Sequence, residues 1–413
     1  MNSTTGRASA TWAEDTRECP MVVNRSAGVQ ETIHMKRNTG DPAMHTPLLD
    51  LQRPNESNGG RNLVSDSPLD YPACSFCGTV LHVHPPSHPT PVDYAGLTPD
   101  TLLDAVEQCG WRTSGRFLAL NSYENRVYQI GLDEGSPIIA KFYRPGRWSS
   151  EAILEEHALA LELAEQEIPV VAPLLYNDRT LQVWRGYRYA LYPRQGGRWP
   201  ELNQRDDRLW MGRMIGRLHA VGSAQPFCHR PALDIDSFGR QSCRFLIEQG
   251  FIPPHLEAAY RSLTDDLLRQ IGARFGDAGP VRHIRLHGDC HPGNILWTEQ
   301  GPHFVDLDDC RTGPAIQDLW MLVSGGREEM QRQLGDLLEG YLRFHEFNYL
   351  ELQLIEPLRT LRMLHYAAWL ARRREDPAFI QAFPWFNTTR YWEDHVLALR
   401  EQAALLDEPA LAV

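Results

Sequence analysis

The chain has 413 residues, of which 53 are acidic and 41 are Lys or Arg, and the resulting net charge of −12 argues against a general nucleic-acid-binding protein. No apolar run is long enough to span a membrane, and the first residues lack the apolar segment of a signal peptide. The eight cysteines have no regular spacing, which is typical of a reducing compartment, so we expect a cytoplasmic protein without nucleic-acid or membrane partners.

The stretch over residues 1–92 differs in composition from the rest of the chain. It is rich in Asn, Ser, Thr, Pro and Gly and shows no sustained hydrophobic periodicity, so we expect it to form a disordered extension. An alternative is that the start was assigned upstream and that this stretch is not part of the natural protein. The remaining stretch of about 320 residues is long enough for two lobes. We predict a small β-rich lobe over residues 93–190 and a larger, mainly helical lobe over residues 191–413.

A loop without glycine connects two predicted strands, residues 117–120 and residues 127–130. It reads Asn-Ser-Tyr-Glu-Asn-Arg over residues 121–126. In protein kinases a Gly-rich loop between two such strands covers the phosphates of the nucleotide, so this sequence departs from that pattern. We expect Ser122 and the neighbouring backbone N–H groups to take the same role. Arg126 is expected to face either the phosphates or the solvent.

Lys141 is notable because the sequence contains one other lysine, Lys36, among its 41 basic residues. It lies in the apolar run over residues 137–143, which predicts a buried strand. A lysine is a compact point charge that suits a phosphate group, whereas an arginine presents a larger fork. We therefore predict that Lys141 binds the phosphates of a nucleotide. The alternative is an edge-strand lysine whose ammonium group lies in solvent.

A helix is predicted directly after this strand, at residues 149–167, with a serine as its N-cap. Kinases hold the phosphate-binding lysine in an ion pair with a glutamate of such a helix. Glu156 is the preferred partner of Lys141, and Glu155 is the alternative, because the sequence does not fix the rotation of the helix.

The second lobe is entered through a predicted strand at residues 187–193, whose backbone is expected to meet the adenine ring. Helical periodicity then recurs along the lobe, at residues 206–221, 255–274, 330–344 and 350–374. The lobe is therefore predicted to be mainly helical.

The sequence His-Gly-Asp-Cys-His-Pro-Gly-Asn over residues 287–294 carries the most specific chemistry. It supplies Asp289 and Asn294, and Asp306 follows at the end of a short apolar run. Phosphoryl transfer needs an aspartate that accepts the proton of the attacking hydroxyl, and it needs an amide and a second carboxylate that hold Mg²⁺. Two predicted strands lie between Asn294 and Asp306, and a hairpin would bring both side chains to one metal ion. Asp318, farther on, is either a plain helix N-cap or a carboxylate that also holds the backbone of this loop.

These segments resemble the bacterial stress-response kinases of the aminoglycoside phosphotransferase and choline kinase branch of the protein-kinase-like fold. The matching segments span about residues 94–408. They are Leu-Asn-Ser-Tyr-Glu-Asn-Arg-Val-Tyr-Gln at 120–129, Lys-Phe-Tyr-Arg-Pro at 141–145, the 287–297 loop, Phe-Val-Asp-Leu-Asp-Asp at 304–309, Gly-Pro-Ala at 313–315, Gln-Asp-Leu-Trp at 317–320, Pro-Ala-Phe at 377–379 and Phe-Pro-Trp at 383–385.

The resemblance implies an α+β, two-lobed kinase fold and an ATP- and Mg²⁺-dependent serine/threonine protein kinase of the cytoplasm. It implies that Asp289 accepts the proton, that Asn294 and Asp306 bind Mg²⁺, and that Ser122 lies on the ATP side. Asp306 is expected to be both a catalytic residue and a metal ligand. Lys141 and Glu156 are expected to form the rest of the ATP-binding site together with Ser122.

The expected partners are protein substrates with Ser or Thr acceptors and the chain itself, by autophosphorylation, and we expect a monomer. Two other functions stay open. One is a small-molecule kinase acting on an amino alcohol, a homoserine-like compound or an aminoglycoside-like compound, because much of the superfamily uses the same loop for that purpose. The other is a catalytically inactive pseudokinase that serves as a scaffold.

Overall fold

Five antiparallel strands form one sheet at the start of the part of the chain that the structure describes, residues 93–413 of a computed structural model. The strands are β1 (Thr113–Ala119), β2 (Arg126–Leu132), β3 (Ile138–Phe142), β4 (Gln182–Trp184) and β5 (Tyr187–Pro193). They are arranged in the order β1-β2-β3-β5-β4, so β3 is the central strand. The expected disordered extension, residues 1–92, lies outside the described residues.

A short helix, α1 (Pro99–Gln108), packs against one face of this sheet. Thr98 caps the helix, because its hydroxyl oxygen accepts a hydrogen bond from the Thr101 N–H at 3.2 Å. Its buried apolar side chains follow helical spacing and share one core with the sheet: Leu102, Ala105 and Val106.

The second helix, α2 (Ser150–Glu165), lies between the sheet and the helical part of the chain. Ser149 caps it by accepting a hydrogen bond from the Ala152 N–H at 3.1 Å. Ile153 packs beside residues that follow the central strand, whereas Leu163 belongs to the large core of the helical part. The helix therefore contacts both halves of the described chain.

The helical part contains eight further α-helices within residues 205–407: α3 (Arg205–Gly222), α4 (Gln241–Glu248), α5 (Pro254–Asp277), α6 (Gln317–Trp320), α7 (Arg327–Tyr341), α8 (Ile355–Arg373), α9 (Pro377–Ala382) and α10 (Thr389–Asp407). Four short strands interrupt it: β6 (His283–Leu286), β7 (Ile295–Thr298), β8 (Gly301–Phe304) and β9 (Arg311–Pro314). β6 pairs with β9 and β7 pairs with β8, both antiparallel. A sheet-containing lobe is thus followed by a helical lobe, and the predicted α+β class is confirmed.

The β7–β8 hairpin brings two predicted site residues together. Asn294 precedes β7, and Asp306 follows β8 by two residues. The Val305 N–H donates a hydrogen bond to the Asn294 carbonyl oxygen at 3.0 Å, which extends the pairing of the hairpin beyond its strands. The predicted hairpin is therefore present, and both residues lie at its open end.

The helices predicted in the second lobe are present, with one difference: the stretch predicted as helix at residues 350–374 begins as a 3-10 turn, Tyr349–Leu354, before α8. The elements not predicted from the sequence are α4, α9, α10, β4 and β9. The predicted lobe boundary between residues 190 and 191 falls within β5, and the division into domains stays a prediction. Across residues 93–413, no helix combines the length and the apolar character needed to cross a bilayer.

Candidate active site

Lys141 lies on the central strand, and its ammonium group is surrounded by carboxylates. Its Nζ atom lies 3.0 Å from Oε1 of Glu156, 3.1 Å from Oδ1 of Asp306 and 3.4 Å from Oδ1 of Asp308. Only 8% of the lysine side chain is exposed, so the alternative of an edge-strand lysine in solvent is wrong. Burial by itself would lower the pKa of Lys141, but Asp308, Glu156 and Asp306 raise it well above its ordinary value. The side chain is therefore a fixed cation.

The two neighbouring glutamates of α2 have different partners. Glu156 is buried and binds Lys141 through Oε1, while its Oε2 accepts a hydrogen bond from Arg230 at 2.8 Å. Glu155 points elsewhere and accepts backbone N–H groups of the loop at residues 228–230. The structure thus places Glu156, and not Glu155, beside Lys141.

An apolar surface lines the sheet on the same side as Lys141. Strand pairing puts Leu118, Gln129 and Ile139 in register across β1, β2 and β3. Because side chains alternate along a strand, Leu118 and Ile139 share a face with Lys141. Leu118 is 59% exposed, and the polar Gln129 lies between it and Ile139. The aliphatic side chains of Leu118 and Ile139 are suited to cover a flat apolar group such as a purine ring.

Ser122 lies in the loop between β1 and β2, and Arg126 is the first residue of β2. The sequence predicted that Ser122 lies near the nucleotide and that Arg126 faces either the phosphates or the solvent. Ser122 is half-buried and makes no hydrogen bond to another residue of the 93–413 region. The Nη2 atom of Arg126 donates to both carboxylate oxygens of Asp376 at 2.7 Å, and 18% of the side chain is exposed. The expectation that Arg126 faces the solvent is therefore wrong, and a contact with the phosphates stays a prediction.

Two carboxylates connect this loop to the end of α8, and we call the set Glu124, Arg126, Arg144, Arg373 and Asp376 the interlobe clasp. Arg373 donates to both oxygens of Glu124, at distances of 2.6 to 3.2 Å. Arg144 donates to Asp376 at 3.0 Å and forms an ion pair with Glu124 at 3.0 Å. The Glu124 and Asp376 side chains are each 12% exposed, so these pairs are largely shielded from solvent. The glycine-free loop is consequently held by the helical lobe.

Asp289, the predicted proton acceptor, has a partner on each carboxylate oxygen. Arg362 of α8 donates to Oδ1. Asn294 donates its amide to Oδ2 at 3.3 Å, and the Nε2 atom of His291 lies 3.4 Å from the same oxygen. Burial would raise the pKa of Asp289, but the Arg362 guanidinium and His291 hold it well below its ordinary value. Asp289 is therefore an oriented carboxylate.

The backbone around Asp289 is fixed by buried hydrogen bonds. The carboxylate of Asp318 accepts the His287 N–H at 2.7 Å and the Gly288 N–H at 2.9 Å. Asp318 is the second residue of α6, whose N-cap is Ile316, so the alternative of a plain N-cap is wrong. The other alternative, a carboxylate that holds the backbone of this loop, is present. Gly288 has a φ of +83°, and a Cβ at this position would lie 2.3 Å from the Asp309 carbonyl oxygen. A glycine is required here, where protein kinases carry arginine.

Asn294 and Asp306 are the predicted metal ligands, and their donor atoms suit Mg²⁺. The side-chain amide nitrogen of Asn294 donates a hydrogen bond to the Asp289 backbone carbonyl oxygen at 3.0 Å. The side-chain oxygen of Asn294 therefore points away from this contact. Asp306 is half exposed and has a φ of +58°, a left-handed conformation that costs about 1 to 2 kcal/mol. Within residues 93–413, no three His, Cys, Asp or Glu side chains are placed to hold a metal by themselves. An amide oxygen with one carboxylate fits Mg²⁺, which completes its shell with water and phosphate oxygens.

Asp308 and Asp309 lie next to this site but are bound by arginines. Arg147 donates to a carboxylate oxygen of each, and Arg311 donates to Asp309 at 2.8 Å. Burial would raise the pKa of Asp308, but Arg147 and Lys141 lower it strongly. These aspartates anchor the segment after Asp306 to both lobes.

Several residues of this site were not found from the sequence, and all of them act across long distances in the chain. They are Glu124, Arg147, Arg230, Arg362 and Arg373. The sequence is rich in arginine, with no spacing that marks one arginine from another. Their roles became visible once the fold brought them to the carboxylates.

Comparison with known proteins agrees with this geometry. A family model described as the phosphotransferase enzyme family, APH, matches residues 116–355. Stress response kinase A from Escherichia coli strain K12 is 44% identical over 315 residues, which cover 76% of this chain and 95% of the relative. A protein of Salmonella typhimurium named serine/threonine protein kinase RdoA shows the same identity and coverage. The resemblance inferred from the sequence motifs is confirmed.

Solved structures show the same fold at low sequence identity. A microcompartment-associated aminopropanol kinase has a TM-score of 0.56 and 19% identity, covering 74% of this chain and 98% of that one. An amicoumacin kinase in complex with AMP-PNP, Ca²⁺ and its ligand has a TM-score of 0.54 and 17% identity, covering 72% of this chain and 94% of that one. At such identities the likeness concerns the fold alone.

Proposed function

The chain belongs to the phosphotransferase enzyme family whose model spans residues 116–355, and from this we propose that it is an ATP- and Mg²⁺-dependent serine/threonine protein kinase of the stress-response type. One observation carries the proposal: Lys141, Asp289, Asn294 and Asp306 are all present and are linked by direct contacts. Asp306 contacts Lys141 at 3.1 Å, and Asn294 contacts Asp289 at 3.3 Å. A catalytically inactive scaffold would have no need to keep all four, so the pseudokinase alternative is disfavoured.

The choice of a protein acceptor is supported by the relatives of high identity. They match over 95% of their length, and one bears the name of a serine/threonine protein kinase. The aminopropanol kinase is similar at the level of fold alone. Phosphorylation of a small molecule is therefore the second candidate function, and the experiment below distinguishes it from protein phosphorylation.

The proposed mechanism uses the residues in the positions described above. Asp289 accepts a hydrogen bond from the acceptor hydroxyl through a carboxylate lone pair that neither Arg362 nor Asn294 occupies. It then takes up the hydroxyl proton as the phosphoryl group is transferred. Lys141, fixed by Glu156, holds the negative charge of the phosphates in place. Mg²⁺, held by Asn294 and Asp306, would neutralise charge on the β- and γ-phosphates when bound. The apolar surface around Leu118 and the backbone of β5 are expected to cover the adenine ring, with Ser122 near the phosphates.

We also propose a cytoplasmic monomer that phosphorylates proteins and itself. The five cysteines within residues 93–413 form no disulfide bond with one another, which fits a reducing compartment.

The experiment is phosphate transfer from γ-labelled ATP with Mg²⁺, using the chain itself and a generic protein as acceptors. Wild type is compared with Asp289→Ala and with Asp265→Asn, an exposed aspartate of α5 that serves as the matched control. Label on protein that disappears in Asp289→Ala and persists in Asp265→Asn supports the proposal. ATP turnover stimulated by small amino alcohols without protein labelling would move the chain to the second candidate. Nucleotide binding without any turnover would favour the scaffold.

A further inference from the structure

A loop of the helical lobe, residues 228–230, is attached to α2 by backbone hydrogen bonds. The Glu155 carboxylate accepts the N–H of Cys228 at 2.6 Å and those of His229 and Arg230 at 2.8 Å. Three successive N–H groups on one carboxylate form a charge-assisted contact that a neutral side chain would not reproduce. This contact fixes the start of the loop against the helix.

The Arg230 side chain then passes into the interior beside the catalytic machinery. Its side chain is fully buried. The guanidinium donates to Oε2 of Glu156 at 2.8 Å, to the Ala152 carbonyl oxygen at 2.7 Å and to the Asp308 carbonyl oxygen at 2.5 Å. One residue therefore joins α2 to the segment that follows Asp306.

This arrangement holds Glu156 from two sides. Oε1 binds Lys141 and Oε2 binds Arg230, so the carboxylate cannot move away without breaking its contact with one of two buried cations. Removing one partner of a buried ion pair is strongly destabilising, because it leaves the other charge buried without compensation. In protein kinases the position of the corresponding helix is variable, and activation brings the lysine and glutamate together. Here the helix is anchored to the helical lobe by Glu155, Glu156 and the Ala152 carbonyl.

We propose that Arg230 is a positioning residue, which holds Glu156 against Lys141 so that the phosphate-binding pair is assembled without an activating signal. The proposal rests on the kinase function argued above and adds to it an account of regulation. Arg230 itself has no role in contacting ATP or the acceptor. Its effect reaches the reaction through α2.

The test compares Arg230→Met and Arg230→Lys with wild type and with Arg217→Met. Arg217 is the matched control, because it also joins the helical lobe to α2, by donating to the Gln166 carbonyl oxygen at 2.6 Å, but lies away from Glu156. We expect Arg230→Met to lower kcat by about 10- to 100-fold, because a misplaced Lys141 no longer meets the phosphates correctly. The KM of the protein acceptor should stay unchanged, Arg230→Lys should recover part of kcat, and Arg217→Met should equal wild type.

A second readout does not depend on activity. The rate at which an amine-acylating reagent modifies Lys141, followed by peptide mass spectrometry, reports whether the lysine is still enclosed. It should rise in Arg230→Met and stay at the wild-type rate in Arg217→Met. Unchanged kcat and unchanged acylation in folded Arg230→Met, with a lower melting temperature as the sole effect, would overturn the proposal.

Glu155→Gln provides a variant with a smaller change, in case Arg230→Met does not fold. It keeps Arg230 in the chain but weakens the attachment of its backbone to α2, so the guanidinium is held less firmly against Glu156. Lys141 acylation should therefore rise and kcat should fall, both to a smaller extent than in Arg230→Met. Wild-type acylation and kcat in Glu155→Gln would count against the proposal. If wild type transfers no phosphate to protein, the proposed function fails, while the acylation comparison still decides the role of Arg230.

Discussion

Arg362 donates a hydrogen bond to Oδ1 of Asp289 from a position 73 residues further along the chain. The contact fixes one oxygen of the carboxylate and leaves the other beside Asn294. Arg362 is expected to have two opposite effects on the reactivity of Asp289. In the proposed mechanism Arg362 orients Asp289 for the incoming hydroxyl, and it also withdraws negative charge from the group that would accept the proton.

We expect orientation to be the larger effect. Arg362→Met should lower kcat about tenfold, because the carboxylate then loses its fixed direction, and Arg362→Lys should recover part of the activity. Steady-state kinetics with ATP and a protein acceptor would measure this. Arg372→Met on the same helix is the control, since Arg372 stacks on Phe245. An increase in kcat would show instead that Arg362 masks Asp289.

Lys141 should not be replaceable by arginine. The site around its ammonium group is enclosed by carboxylates, and a guanidinium is larger and presents a planar fork. Both Lys141→Met and Lys141→Arg are expected to lower kcat/KM for ATP by about 100-fold or more. Lys36→Arg, at the other lysine of the sequence, is the control. Near-normal kinetics in Lys141→Arg would contradict the assignment of Lys141 to the phosphates.

The interlobe clasp should contribute to ATP binding through the Glu124–Arg373 pair. In a double-mutant cycle with Glu124→Gln and Arg373→Met, each single change should raise the KM for ATP several-fold, and the double change should add little. We expect a coupling energy of about 1 kcal/mol or more. The exposed pair Asp104–Arg185 serves as a reference, for which the coupling should be near zero. Additive effects at Glu124 and Arg373 would argue that the pair does not act as a unit.

Glu351 should make stability depend on pH near neutrality. Burial raises its pKa from 4.5 to about 7, while its Oε2 accepts the Ile316 N–H at 2.9 Å. Between these pH values the folded state binds more protons than the unfolded state, so the free energy of unfolding falls as the pH rises through that window. This pKa shift corresponds to a change of about 3 kcal/mol in the free energy of unfolding across the window.

Glu351→Gln removes the titrating group and keeps an oxygen for the Ile316 N–H. Thermal unfolding between pH 5 and pH 8 should show a wild-type melting temperature that decreases with pH and a flatter curve for the variant. Glu328→Gln, at an exposed position of α7, should follow wild type. Parallel curves for wild type and Glu351→Gln would show that Glu351 is ionised across the range.

The predictions from the sequence agree with the structure where the contacts are local in the chain. The predicted hairpin is present, with Asn294 and Asp306 at its open end and Asp289 in contact with Asn294, while the chemical roles of the three residues stay predictions. Lys141 was identified from composition instead, because it is one of two lysines among 41 basic residues.

The parts that the sequence left open or missed depend on the relative placement of distant elements. Choosing between Glu155 and Glu156 requires knowing which side of α2 faces Lys141. The hydrophobic periodicity of the sequence defines that side to no better than one residue. The partner of Arg126 is 250 residues away, and that of Glu156 in the helical lobe is 74 residues away. Neither pair leaves a sequence pattern, because an ion pair constrains the positions of two side chains in space and not their spacing in the chain.

The glycine-free loop has a consequence for recombination among related kinases. Its order depends on Glu124 in the sheet lobe and on Arg373, which lies 249 residues later in the helical lobe. A chimera that takes its sheet lobe from this chain and its helical lobe from a relative would inherit half of the contact. Such hybrids should be active when the donor of the helical lobe supplies an arginine at the corresponding place. The two lobes of this enzyme are therefore not independent modules, and compatible lobes can be chosen by this pair of residues.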